Sequence, residues 1–275
     1  MGCLNSTGGF SHWFGNVHLS GPCNRSCYFC IGQHMMELDK ENTLDKFPLP
    51  GLEDFIKECY KRKVQEINIT GTNTDPTLYK HHETLTSWIR RRLPEVKLGI
   101  RTNAVSPNTK EIFSLYDKAS VSVTSLDPVI YKATMGQGEP PDVERLLYCG
   151  IPVKFNIVLG PENSGVDLMR TIIKLREAGA KAINLREPYG QPHIGDPFEK
   201  VLLKVDELYG MPQYDFHDTI ITYWNVHYVE VESVNLYANG KVSVDYPITR
   251  GHSESGQVIP QNEWKSGRHV QQWVT

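Results

Sequence analysis

From about residue 17 to residue 190, short β-rich runs alternate with amphipathic stretches. The runs that predict strands are 16–20, 65–70, 96–101, 120–124, 153–159 and 182–186. Between them, apolar residues recur at helical spacing in 51–63, 78–92, 109–116, 142–149 and 166–178. Local punctuation supports these bounds. Pro50-Gly51 precedes the first helix, Pro94 follows the second, and Asn108 is placed to cap the third. Pro140-Pro141 opens the fourth, and Gly179 is a left-handed stop for the fifth. Strand–helix alternation implies a parallel sheet, because parallel neighbours need long crossovers. The strands read as near-continuous apolar runs, as expected when both faces are covered. An open doubly wound sheet and a curved partial barrel both fit. In either, loops at the C-terminal ends of the strands carry function. Polar residues gather there: 70–75, Thr102-Asn103, 124–127 and Arg186-Glu187.

After Tyr189 the pattern changes. Residues 190–198 are rich in Pro and Gly, and 199–208 reads as a short helix. Residues 226–236 and 241–246 then flank Asn239-Gly240, a strong hairpin signal. The expected organisation is a core over 1–190 and a C-terminal extension or lid over 191–275, packed on it within one domain. The tail from Arg250, with Trp264 and Trp273, either is partly disordered or folds back over the core.

Composition narrows the partners more than the fold. With 39% hydrophobic and 22% charged residues, 275 residues supply one large core. A formal charge of −3 argues against nucleic-acid polymers and anionic membranes as partners. The one compact basic cluster, Arg90-Arg91-Arg92, closes a predicted helix, where cations suit the dipole. No apolar stretch is long enough to span a bilayer, and residues 1–10 lack the layout of a secretory signal. A reducing cytoplasm is the expected compartment. There, clustered cysteines indicate a metal or catalysis more than disulfides. Cys59 and Cys149 are scattered singles that read as small buried hydrophobes, and Cys3 is isolated too.

The cluster is Cys23, Cys27 and Cys30, spaced CxxxCxxC directly after the first predicted strand. A cubane iron–sulfur cluster normally takes four cysteines, so three leave one iron open for chemistry. The competing assignment is a zinc site completed by His34, which makes a zinc-stabilised, non-enzymatic binding module.

With this loop in this place, the chain resembles the radical SAM superfamily over roughly residues 14 to 190. The aromatic Phe29 before the last cysteine fits, with Tyr28 beside it. The resemblance implies a partial (β/α)6 TIM-like barrel with a C-terminal antiparallel hairpin or lid. It implies a 4Fe–4S cluster on Cys23, Cys27 and Cys30, with S-adenosylmethionine (SAM) on the open iron. Reductive cleavage of SAM would give a 5′-deoxyadenosyl radical that abstracts hydrogen from a substrate. In the family a Gly-Gly-Glu-Pro-like segment receives the SAM amino group; here it reads Thr70-Gly71-Thr72-Asn73-Thr74-Asp75-Pro76. With one glycine and the glutamate absent, Thr72 or Asn73 oxygens must serve, or Asp75 must reach back.

Residues Val121-Ser122-Val123-Thr124-Ser125-Leu126-Asp127-Pro128 resemble a stretch of the cyclic pyranopterin synthases, the molybdenum-cofactor branch. Met135-Gly136 and Pro152-Val153-Lys154-Phe155-Asn156 also resemble that branch. By this likeness Phe29, Gly71, Thr72, Asn73, Thr102, Ser122, Lys154 and Asn156 would contact SAM, with Lys154 near its carboxylate and Asn156 near its ribose. Thr124 stands where the branch has aspartate. The branch's second cysteine triad is missing, since no cysteine follows Cys149, so its substrate and reaction are not carried over. The expected substrate is a small polar molecule, a nucleotide or sugar derivative being favoured, with peptide modification as the alternative. Arg186, Tyr223 and His227 are candidate substrate residues; His193 and His217 share the lid region. An electron donor such as flavodoxin or ferredoxin is the expected protein partner.

Overall fold

The computed structural model describes residues 13–34, 41–189, 194–225 and 232–244. Six strands arrive with their crossovers. They are β1 (Trp13–Leu19), β2 (Glu66–Gly71), β3 (Lys97–Thr102), β4 (Lys118–Ser122), β5 (Val153–Val158) and β6 (Ala182–Arg186). Helices α1 (Leu52–Lys61), α2 (His82–Arg92) and α3 (Thr109–Phe113) make the first three crossovers. The fourth holds α4 (Pro128–Met135) and α5 (Val143–Leu147), and the fifth α6 (Val166–Glu177). Asp127 starts α4 by accepting from the backbone N–H groups of Val129 and Ile130, and Asp142 starts α5 by accepting from that of Arg145. Asn108 occupies the cap position of α3 without a side-chain capping bond.

The chain then adds an antiparallel meander of β7 (Lys204–Leu208), β8 (Met211–Phe216) and β9 (Thr219–Trp224). β10 (Glu232–Leu236) and β11 (Val242–Ser243) complete one sheet, ordered β11-β10-β1-β2-β3-β4-β5-β6-β9-β8-β7. β1 to β6 pair in parallel, β9 continues them in parallel beside β6, and β10 does so beside β1. The sheet curls. Phe14 on β1 meets Tyr209, in the turn between β7 and β8, at 5.5 Å between ring centroids, although their strands lie far apart in the order. The result is an α/β partial barrel with antiparallel C-terminal strands.

The two faces of the sheet differ in chemistry. Val17, Leu19, Ile67, Ile69, Leu98, Ile100, Val121, Phe155, Ile157, Ile183 and Leu185 pack outward, in one cluster with Phe55, Leu85, Ile89, Phe113, Ile172 and Leu175 of the helices. Their alternate neighbours, Asn16, His18, Asn68, Ser120, Lys154, Asn156 and Asn184, line the concave face. The strands therefore alternate apolar and polar, which corrects the reading of them as near-continuous apolar runs. A parallel sheet covered by helices on one face only keeps the period of two on the other. Gly99 is part of this arrangement: a Cβ there would meet Asn68 Oδ1 at 2.4 Å.

Two other expectations change. The stretch 199–208 is not a helix; its end is β7, held by pairing with β8, and cross-strand partners override the local pattern. The turns on either side of β8 are Tyr209-Gly210 and His217-Asp218, all four at positive φ, as a two-residue hairpin demands. The second predicted helix is a 3₁₀ turn (Pro76–Leu78) followed separately by α2. Asn239-Gly240 does turn an antiparallel pair, β10 and β11, and β10 also extends the main sheet. The tail from Arg250, His193 and His227 lie outside the described residues, as does Cys3.

Phe155 is fully buried at the centre of the outer cluster. Phe155→Ala is expected to cost about 3–5 kcal/mol, read as a lower urea midpoint at unchanged slope.

Candidate functional site

The cysteine loop leaves β1 through Gly21-Pro22 and is anchored on three sides. Toward β2, Gly21 N–H donates to Asn73 Oδ1 (3.1 Å), and the Thr74 hydroxyl donates to the Pro22 carbonyl (2.6 Å). Toward α4, Ser26 N–H donates to the Met135 carbonyl (3.1 Å). Gly136 lies so close that a Cβ there would meet Ser26 Oγ at 2.2 Å, and its φ is 81°. Arg25 Nε donates to the Tyr131 hydroxyl (3.2 Å), and Gln137 Nε2 to the Asn24 carbonyl (3.1 Å). Toward β3, Asn103 Nδ2 donates to Asn24 Oδ1 (2.7 Å). Arg25, Tyr131, Gln137 and Asn24 escaped sequence reasoning, because their partners are about 80 to 110 residues away.

Cys23, Cys27 and Cys30 are free thiols. Burial raises all that is resolved of them: Cys27 is pushed up to about 12 by desolvation first, then by the Cys30 and Cys23 charges. Cys23 is raised by desolvation, with Asp75 and Cys30 adding to it. Cys30 Sγ lies 3.6 Å from the Thr72 carbonyl at the end of β2. Gly32 makes this approach possible, since a Cβ there would meet the Thr72 carbonyl oxygen at 2.7 Å. Phe29 is half-buried, edge-on to Tyr28 at 5.3 Å.

Asp75 joins the strand ends. It is 3% exposed and accepts from Thr77 N–H, the Thr77 hydroxyl, the Thr102 hydroxyl and Asn103 N–H. Its carboxylate is thus fully engaged, which corrects the option that it reaches back to a ligand. Thr102 is committed as well: its hydroxyl donates to Asp75 and accepts from Ala104 N–H. Gly71 shapes the turn, as a Cβ there would meet the Thr74 carbonyl oxygen at 1.8 Å. The Thr72 hydroxyl is turned back to the Leu19 carbonyl (3.1 Å).

Ser122 and Asn156 sit side by side in register on the concave face. Asn156 Nδ2 donates to Ser120 Oγ (2.7 Å). Lys154 lies one step deeper on the same face. Desolvation lowers its pKa from 10.5 to about 8, helped by Arg101, Lys118 and Arg186 and opposed by Glu66. Thr124 is buried against Thr134, their hydroxyls 2.5 Å apart.

The substrate candidates separate. Arg186 faces the concave side with its guanidinium 6.0 Å from the Trp224 ring. Tyr223 shares the outer face with Ile221, and its hydroxyl bonds the buried Glu187 carboxylate, which also accepts from the Ile194 and Gly195 N–H groups. Tyr223 and Glu187 therefore belong to the wall and not to the mouth, because they fall on the other parity of their strands. His217 is in the β8–β9 turn, at the end of the sheet opposite the cysteine loop.

A curved parallel sheet with a thiol loop at the C-terminal end of its first strand defines a class of cofactor-dependent barrel. Residues 17–185 match the model of the Radical SAM superfamily, and the chain belongs to that superfamily. Its cofactors are a 4Fe–4S cluster and SAM. Among solved structures, the chain is similar to Streptococcus suis SuiB bound to S-adenosylmethionine, at 16% identity and a TM-score of 0.49, over 68% of this chain and 41% of that one. It is also similar to methylornithine synthase PylB, at 14% identity and a TM-score of 0.48, over 69% of this chain and 57% of that one. Native anSMEcpe with bound AdoMet is similar at 12% identity and a TM-score of 0.47, over 70% of this chain and 56% of that one. The chain thus spans 41–57% of these proteins' lengths. No curated protein matches it in sequence.

The donor set suits the cluster. Three free thiols share one loop, and burial together with their mutual proximity keeps Cys23 and Cys27 protonated, a cost that a bound cationic metal centre relieves. A zinc site on Cys23, Cys27, Cys30 and His34 takes all four donors on one ion, whereas a cubane spreads its thiolates over separate irons. His34 instead lies edge-on to Tyr189, at 4.9 Å.

Two measurements check this geometry. Asp75→Asn replaces a fully engaged acceptor with a group that also donates, and should cost about 1.5–3 kcal/mol in urea unfolding. For Lys154, the unfolded chain takes up a proton between about pH 8 and 10.5 that the folded chain refuses. This lysine therefore costs stability in full below about pH 8, and the cost fades as pH rises to 10.5. Lys154→Met should flatten that rise in the urea midpoint.

Proposed function

We propose that this chain is a radical SAM enzyme whose cluster rests on Cys23, Cys27 and Cys30, acting on a small polar substrate. The observation that carries this reading is three free thiols on one loop, with Cys30 Sγ against the Thr72 carbonyl at the next strand end, within the matched family span. When bound, the cluster and SAM supply one electron and a 5′-deoxyadenosyl radical that removes hydrogen from the substrate. The protein's part is placement and exclusion of water. The turn at Gly71, Thr72 and Asn73 would receive the SAM amino group through backbone or side-chain oxygens. Phe29 covers the loop, and Ser122 and Asn156 offer a hydroxyl and an amide from the concave face. Thr102 acts as a positioning residue through Asp75, since its hydroxyl is already engaged.

The motif likeness to cyclic pyranopterin synthases concerns these cofactor-side positions and carries no substrate with it. A nucleotide or sugar derivative is the favoured substrate class, because amides and cations line the concave face. Of the substrate candidates within the described residues, Arg186 is the one that faces the concave side, while His227 lies outside them. A flavodoxin- or ferredoxin-type donor supplies the electron, and the cytoplasm is the compartment that keeps the thiols reduced. Membrane partners are not part of the reading; among the described residues no helix is long and apolar enough to cross one.

Anaerobically reconstituted protein should be brown, contain iron and release 5′-deoxyadenosine from SAM with dithionite. Replacing the three cysteines by alanine should abolish both colour and cleavage. Cleavage surviving that change would sink the assignment. Candidate nucleotides and peptides, added separately, reveal the substrate class by substrate-dependent 5′-deoxyadenosine.

A further inference from the structure

Arg101 on β3, Ser120 on β4 and Lys154 on β5 stand in one register row across three adjacent strands. Their chain neighbours Ile100, Val121 and Phe155 bury outward against the helices, so all three side chains belong to the concave face. Neither Arg101 nor Lys154 has a side-chain hydrogen bond or ion pair among the described residues. The nearest carboxylate of this wall is already used: Glu66 bonds Lys118 and accepts from Asn68 Nδ2. Another neighbour of Arg101, His18, is buried, stacked on Tyr237 and held neutral, its pKa lowered to about 4 mainly by burial. It offers no negative charge.

Two neighbouring cations whose nearest carboxylate is already paired elsewhere repel each other, and an anion between them relieves the cost. The side chains are also shaped for an oxyanion. Arginine presents a planar fork, and lysine a point charge. Ser120 Oγ accepts from Asn156 Nδ2, which leaves its own proton to donate.

We propose that Arg101, Ser120 and Lys154 form a seat for a phosphate group of the substrate, so that the substrate is a phosphorylated small molecule. This rests on the reading that the concave face houses the substrate. It also removes Lys154 from the SAM carboxylate and gives it to the substrate. A phosphate takes both cations at once, while its hydrogen-bonding body meets the amides of Asn16, Asn68, Asn156 and Asn184 on the same face.

Calorimetric titration of the reconstituted protein with pyrophosphate tests the seat, with and without saturating SAM and with succinate as the carboxylate arm. Pyrophosphate should bind, and the binding should survive saturating SAM. Arg101→Gln and Lys154→Gln should each weaken it by ~10-fold or more. Arg101→Lys should retain most of it, with an unchanged circular dichroism spectrum as the check on folding. Lys132→Gln, an exposed change on α4, should leave it intact. Loss of pyrophosphate binding on adding SAM would return the seat to the SAM carboxylate and overturn the proposal. So would succinate binding more tightly than pyrophosphate, no pyrophosphate binding at all, or equal binding by the Gln variants. Because no turnover is measured, the seat can fail while SAM cleavage stands, and the reverse.

Discussion

The buried carboxylate of Asp75 ties the functional end of the barrel together. Alone it fixes the β2 turn through Thr77 and the β3 end through Thr102 and Asn103. Asn103 then holds Asn24, the neighbour of Cys23. A charged acceptor so deeply buried is tolerated only because donors satisfy it from several directions. Those donors come from different strand ends, so the bond network fixes the spacing between them. The cysteine loop inherits its position from this network on one side and from α4 on the other, where Gly136 allows Ser26 to dock.

The second organising fact is the division of the sheet into an oily outer face and a polar inner one. The outer face does the folding: it removes Ile, Leu, Val and Phe side chains from water against the helices. The inner face carries the polar and charged side chains of the strands. Amides on β1, β2, β5, β6 and β10 lie along it, where Asn16 Nδ2 donates to Asn235 Oδ1 and Asn156 Nδ2 to Ser120 Oγ. Lys154 and Arg101 add positive charge where solvent is scarce.

The family match decides the superfamily, and with it the cofactor class. The geometry decides which side chains are available and which are spent. Thr102, Asp75 and Tyr223 look alike in sequence as polar residues near strand ends. In the fold each already has a buried partner, while Ser122, Arg101 and Lys154 stay toward the lumen.

By itself the sequence determined the six strands, five of their crossover helices, the hairpin at Asn239-Gly240 and the three-cysteine loop. These rest on local signals: period, caps, turn residues and spacing all act within a few residues. Tertiary structure alone decided that 199–208 ends in a strand, that β9 and β10 extend the sheet at either side, and that it curls. It also decided which face each polar residue takes. One residue's shift in a strand reverses its direction, and only cross-strand register settles that. Pairings such as Asn24 with Asn103, or Arg101 in line with Lys154, join residues far apart in the chain. No local pattern records them, because the energy that selects them exists only once the strands are side by side.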